Sequence, residues 1–200
     1  TYLYTGDKSL IEESWDVMCK YVEYMENVTE DGVLEFDLSA DWSSPGNIAV
    51  CPPAARDTAM AYDFLVTMSK LAKLIGKDEK IWLRKAEKYK ETWRKVFLTR
   101  EELHESQTFM LIAVYTGVLE PLEEKQFIKK IAQHVKELDY HFNCGVESTL
   151  RMFVTLSENG YMDYVYKAVT NETYPSYAYW VKSGLTTLPE DWDMSQSQNH

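Results

Sequence analysis

At 200 residues, 45% hydrophobic and 26% charged, the chain is one domain or part of one, with enough apolar material for a real core. Its net charge of −11 argues against nucleic acid or an anionic membrane as partner, since both need a basic face; a neutral ligand such as a sugar is not repelled. No apolar run approaches the roughly 18 residues of a membrane span, and no signal peptide is visible.

In chain order, residues 9–25 read as an amphipathic helix. Ile11, Trp15, Met18, Val22 and Met25 recur at spacings of three and four, and Asp7 or Ser9 can cap the start. Residues 26–53 are not helical. Asp31-Gly32 signals a turn, residues 33–38 suit a short strand, and residues 41–47 form a loop by composition. Pro52-Pro53 opens a helix expected to run to Ile75, with Thr58, Tyr62, Leu65, Met68 or Ser69, and Ala72 on one stripe. Asp78 caps the next helix, whose face is Trp82, Ala86, Tyr89, Trp93 and Val96.

A third helix opens at Ser106 or Thr108. Pro121 starts a fourth, with Phe127, Ile131 and Val135 inward. After the loop at 141–145 come helices at about 146–156 and 162–169. The alternation of Tyr177 and Tyr179 suggests a short strand with both rings on one side.

Gly76, Gly117 and Gly160 follow helix ends, and each interval between them holds two helices. This is a helical-hairpin repeat. The fold class is therefore all-α: stacked helix pairs in an open solenoid or a closed toroid, with short β segments confined to loops. In a toroid the loops from one end of each hairpin converge on a central hole, the geometry of a ligand pocket.

Several loop residues carry possible chemistry. Glu190, Asp191 and Asp193 flank Trp192. Glycoside hydrolysis usually uses two carboxyl groups, one donating a proton and one activating water or attacking the anomeric carbon. The competing reading is a solvated acidic turn. Asp41 beside Trp42 offers a sugar-binding carboxylate and a stacking ring, or else an Asx-turn with a packed Trp. His200 is a pocket residue or an incidental terminal histidine, and Tyr177, Tyr179 and Trp180 line a pocket or simply pack. Cys19, Cys51 and Cys144 are odd in number and widely spaced, so they read as incidental thiols. His104, His134 and His141 lack metal-type spacing, and no cofactor motif is present.

The run YPSYAYWVKSGLTTLPEDWD at residues 174–193 resembles the signature near the end of the catalytic domain of bacterial α-L-rhamnosidases, glycoside hydrolase family 78. Members read YPSWGYxxxxGATTxWExW there. DW and PG within residues 41–46, SQT at 106–108, LSENG at 156–160 and SQNH at 197–200 follow in the family's order.

The resemblance implies the second half of an (α/α)6 toroid, with residues 1–200 a fragment of one glycosidase catalytic domain whose N-terminal half is missing. The chain begins with Thr1 rather than Met and ends in polar sequence, which fits the same expectation. It further implies inverting hydrolysis of terminal α-L-rhamnosides, with a rhamnose-containing oligosaccharide or glycoside as ligand. Glu190 matches the general base, and Asp41, Trp42, Tyr179, Trp192 and His200 are the candidate sugar-pocket residues. Two departures stand out. Pro189 replaces the first Trp of WExW, and the upstream DxPxRDExxGW segment that carries the family's general acid does not occur here. Arg56-Asp57-Thr58 is the nearest run, and it lies in a helix. Two alternatives remain open: another toroid glycosidase or lyase acting on a different sugar, and a non-catalytic helical-repeat interaction module.

Overall fold

The structure is a computed structural model describing residues 2–36, 41–47 and 51–194. Its helices are α1 (Tyr2–Thr5), α2 (Ser9–Val28), α3 (Pro53–Leu74), α4 (Lys80–Trp93), α5 (Gln107–Thr116), α6 (Pro121–Glu137), α7 (Val146–Glu158), α8 (Met162–Thr170) and α9 (Tyr177–Lys182). Among the described residues the β pairing is one isolated bridge, Glu30 with Val33. No described helix is long and apolar enough to cross a membrane.

The helices form two layers. α3 packs on α5 and α5 on α7, while α4, α6 and α8 pack behind as the second member of each hairpin. The hairpin repeat is present as expected. Gly76, Gly117 and Gly160 sit at φ of 72°, 77° and 85°, the left-handed geometry that ends a helix at little cost only for glycine. α5 has residues 107 to 113 buried throughout, the polar Gln107 and Thr108 among them, because it lies in the middle of the inner layer.

One core cluster joins α2, α3 and α4 through Trp15, Val22, Leu65, Met68 and Ala86. The larger one joins α3 to α8 around Trp93, Phe109, Ile131 and Met152. Trp93 is fully buried, stacks on Phe109 with centroids 5.3 Å apart, and donates its indole N–H to the Ala55 carbonyl at 2.8 Å. Burying 150–250 Å² of indole at about 25 cal/mol per Å² contributes roughly 4–6 kcal/mol.

Three local expectations are corrected. First, Val96 is exposed and Phe97 is buried instead. The last turn of α4 opens into a π-turn at Arg94–Leu98, and that wider turn carries the inward position one residue further.

Second, residues 33–36 form no strand. Val33 pairs with Glu30 in the isolated bridge, and the next backbone groups go to side chains of α3: Thr58 Oγ1 accepts from the Leu34 N–H at 3.1 Å and donates to the Leu34 carbonyl at 3.2 Å. Asp57 Oδ2 accepts from the Phe36 N–H at 2.7 Å. Residues 37 and 38 of the expected strand lie outside the described residues.

Third, residues 177–182 are helical. Ser176 Oγ accepts from the Tyr179 N–H at 3.0 Å and caps α9. This cap overrides the weak strand preference of alternating tyrosines and turns Tyr177 and Tyr179 to different faces.

Thr58→Val keeps the shape of the side chain but leaves the buried Leu34 N–H and carbonyl unpaired. It is expected to lower stability by about 1–3 kcal/mol, seen as a lower denaturant midpoint at unchanged m-value. An unchanged midpoint would show that this segment does not depend on Thr58.

Candidate functional site

The loops that lead into α3, α7 and α9 meet at one end of the helix array. His141 Nε2 pairs with Thr173 Oγ1 at 3.0 Å, and Asn171 Nδ2 donates to the Asp139 carbonyl at 2.9 Å. The Val146 N–H donates to the Trp42 carbonyl at 2.9 Å. The Tyr174 hydroxyl donates to Asp193.

These contacts frame a cleft of about 550 Å³ between α7, α9 and residues 188–192, with Trp42 on its rim. That volume is in the range of small-molecule sites. Its floor is aromatic. Trp180 and Trp192 stack with centroids 4.7 Å apart and planes 25° from parallel. Tyr177 meets them edge-on at 5.1 and 5.6 Å. Both indole N–H groups are satisfied: Trp192 Nε1 donates to the Cys144 carbonyl at 3.0 Å and Trp180 Nε1 to the Trp192 carbonyl at 3.3 Å. Large rings with their polar edges bonded form a fixed apolar surface.

The sequence candidates separate. Glu190 is half-buried on the cleft wall, and Trp192 forms the floor. Trp42 is 50% exposed, with its ring on the rim. Asp41 stands beside it, but its carboxylate is turned to the start of α7, where it accepts from the Gly145 N–H at 2.7 Å and the Ser148 N–H at 3.3 Å. Tyr179 is not among the lining residues; it packs edge-on against Tyr174 at 5.8 Å. His200 lies outside the described residues. Of the neighbouring acids, Asp191 is buried and lines the cleft, while Asp193 is exposed and tied to Tyr174.

Sequence reasoning missed the aliphatic wall of Val146, Leu150 and Leu188, and it missed Phe153. Val146 and Leu150 are one turn apart on α7, on a face separate from its buried Met152 and Leu156, and Thr149 lines the cleft beside them. That second apolar stripe was the available signal.

Two thiols lie near this end but do not fit nucleophilic chemistry. Burial pushes the Cys51 thiol up to about 12, and burial likewise raises Cys144; a nucleophilic cysteine needs its thiolate near neutral pH. Among the described residues no group of three or more His, Cys, Asp or Glu side chains is arranged to hold a metal ion.

A sequence profile of the bacterial α-L-rhamnosidase 6 hairpin glycosidase domain matches residues 1–200. An α-L-rhamnosidase of Formosa agariphila is 26% identical over 202 residues, covering 96% of this chain and 22% of that protein. One from Alteromonas sp. is 27% identical over 207 residues, covering 96% and 22%. The chain therefore spans about a fifth of the length of these curated relatives. The structure of the α-L-rhamnosidase from Dictyoglumus thermophilum superposes with a TM-score of 0.86 at 31% identity, over 96% of this chain and 23% of that one. The Streptomyces avermitilis α-L-rhamnosidase complexed with L-rhamnose gives 0.86 at 18% identity, over 96% and 19%, a likeness of fold.

The Tyr174 phenol is pushed up to about 12, first by burial and then by its hydrogen bond to the Asp193 carboxylate. A raised phenol pKa stabilises the folded state fully below the ordinary value near 10, and that contribution disappears as pH rises through about 12. Tyr174→Phe is therefore expected to be less stable than the parent at pH 8, with the gap closing between about pH 10 and 12. Thermal melts across that range check it, and a gap independent of pH would exclude the phenol as its source.

Proposed function

The chain belongs to the six-hairpin glycosidase domain family of the bacterial α-L-rhamnosidases, and from that membership we propose that the protein carrying it hydrolyses terminal α-L-rhamnosides with inversion, using Glu190 as general base. The observation that carries this reading is the position of Glu190: a half-buried carboxylate on the wall of an aromatic-floored cleft, facing the same space as Trp42 and Trp192. The aromatic surfaces suit the C–H face of a sugar ring, and the carboxylate suits a proton in flight.

In this reaction the ionised Glu190 takes a proton from a water molecule. The water oxygen attacks the anomeric carbon from the face opposite the leaving group. A second carboxyl group protonates the departing glycosidic oxygen. The two carboxyl groups of an inverting pair stand roughly 6.5–9.5 Å apart, leaving room for the water.

We place the proton donor outside these residues, in the remainder of a domain of which this chain is the second half. The surface of α2 supports that placement. Val17, Tyr21, Tyr24 and Val28 form a second, exposed stripe along the helix at the three- and four-residue spacing of a packing face. A preceding hairpin would cover it.

Three outcomes are expected. Glu190→Gln in the whole enzyme should lower kcat by about 10²–10⁴-fold, since the amide keeps the shape but cannot accept the proton; a near-normal kcat removes Glu190 from the role. The first product seen by NMR should be the β-anomer of rhamnose, and an α-anomer would mean retention. The chain expressed alone should release no rhamnose from an aryl rhamnoside, and release would place the proton donor within it.

A further inference from the structure

Asp41 is committed on both of its oxygens. Oδ2 accepts from Thr108 Oγ1 at 2.5 Å and from the Gly145 N–H at 2.7 Å. Oδ1 accepts from the Ser148 N–H at 3.3 Å. Thr108 is fully buried on α5, and the two amides belong to the opening turn of α7.

The residue in the N-cap position of α7 is Gly145, which has no side chain to serve as a cap. A capping side chain normally comes from that position and accepts from amides two or three residues on. Here the carboxylate arrives from 104 residues earlier in the chain. The glycine makes room for it: a Cβ on Gly145 would lie 2.2 Å from the Trp42 carbonyl oxygen and 2.6 Å from Asp41 Oδ1. The bond from the Val146 N–H back to the Trp42 carbonyl closes the joint.

We infer that Asp41 is a positioning residue, fixing Trp42 on the cleft rim through the first turn of α7, and is not itself a ligand of the sugar. The inference rests on the reading of the cleft as the sugar site. The anionic cap offsets the partial positive charge at the helix start and makes α7 and the Trp42 backbone one unit. The aliphatic wall of α7 and the Trp42 ring therefore keep a fixed separation across the mouth of the cleft.

A double-mutant cycle in the whole enzyme tests this. Trp42→Ala is expected to raise KM roughly tenfold, the factor that about 1.4 kcal/mol of lost binding produces. Asp41→Asn should give a similar rise with kcat little changed, and adding it to Trp42→Ala should raise KM no further. A direct ligand would instead multiply the two effects.

Gly145→Ala leaves both side chains chemically intact and should reproduce the KM rise by pushing the loop away; it also serves if Asp41→Asn does not fold. Amide exchange at Gly145 and Ser148 should accelerate in Asp41→Asn while the α5 core keeps its protection. Multiplied effects in the double variant, or a normal KM in Gly145→Ala, overturn the proposal. An unchanged KM in Trp42→Ala overturns the cleft reading instead, and the exchange result tells the two failures apart.

Discussion

The joint between Asp41 and the start of α7 is the interaction on which the site end of the molecule depends. One carboxylate satisfies a buried hydroxyl of α5 and two amides of α7, and the adjoining carbonyl satisfies a third amide. Removing it leaves polar groups unpaired in places water reaches poorly, at about 1–3 kcal/mol for each buried group. Loop, inner helix layer and cleft rim thus share one fastening, and no apolar contact at the rim has comparable directional strength.

Aromatic residues serve two purposes in this fold. Trp93 is sealed inside the larger core with its N–H bonded to a helix carbonyl. Trp180 and Trp192 use the same device, a bonded indole N–H, yet they form the floor of an open cleft. Satisfying the polar edge of each ring lets a large apolar surface be presented without leaving a buried donor unpaired. Glu190 and Asp191 are the carboxyl groups set beside that apolar surface in the cleft lining.

What the sequence made legible was set by local rules. The glycine-ended hairpins, the capped helix starts and the inward stripes of α2, α3 and α6 depend on neighbours three to five residues away, and they appear where expected. The errors arose where one specific hydrogen bond or a widened turn overrode the local pattern, as the Ser176 cap did at residues 177–182. Residues 33–36 looked like a strand, but Leu34 and Phe36 bond to the side chains of Thr58 and Asp57. Val96 lost its inward place to Phe97 through a π-turn that no periodicity announces. Motif resemblance singled out Glu190, Trp42 and Trp192, which share one cleft, yet it could not show that Asp41 faces a helix start or that Tyr177, rather than Tyr179, belongs to the cleft floor.

The span between Asp41 and Gly145 has a consequence for assembly. Closing 104 residues of unstructured chain costs conformational entropy of about 4 kcal/mol by the logarithmic rule. The hairpins between them close over far shorter distances and form on local contacts. Asp41 meets α7 only when α3 to α6 have stacked in register, since a slip of one helical turn at any intervening layer moves the carboxylate by about 5 Å. The rim of the cleft is thus a gauge of the scaffold beneath it: a ligand that needs Trp42 in place binds only to chains whose intervening helices are correctly stacked.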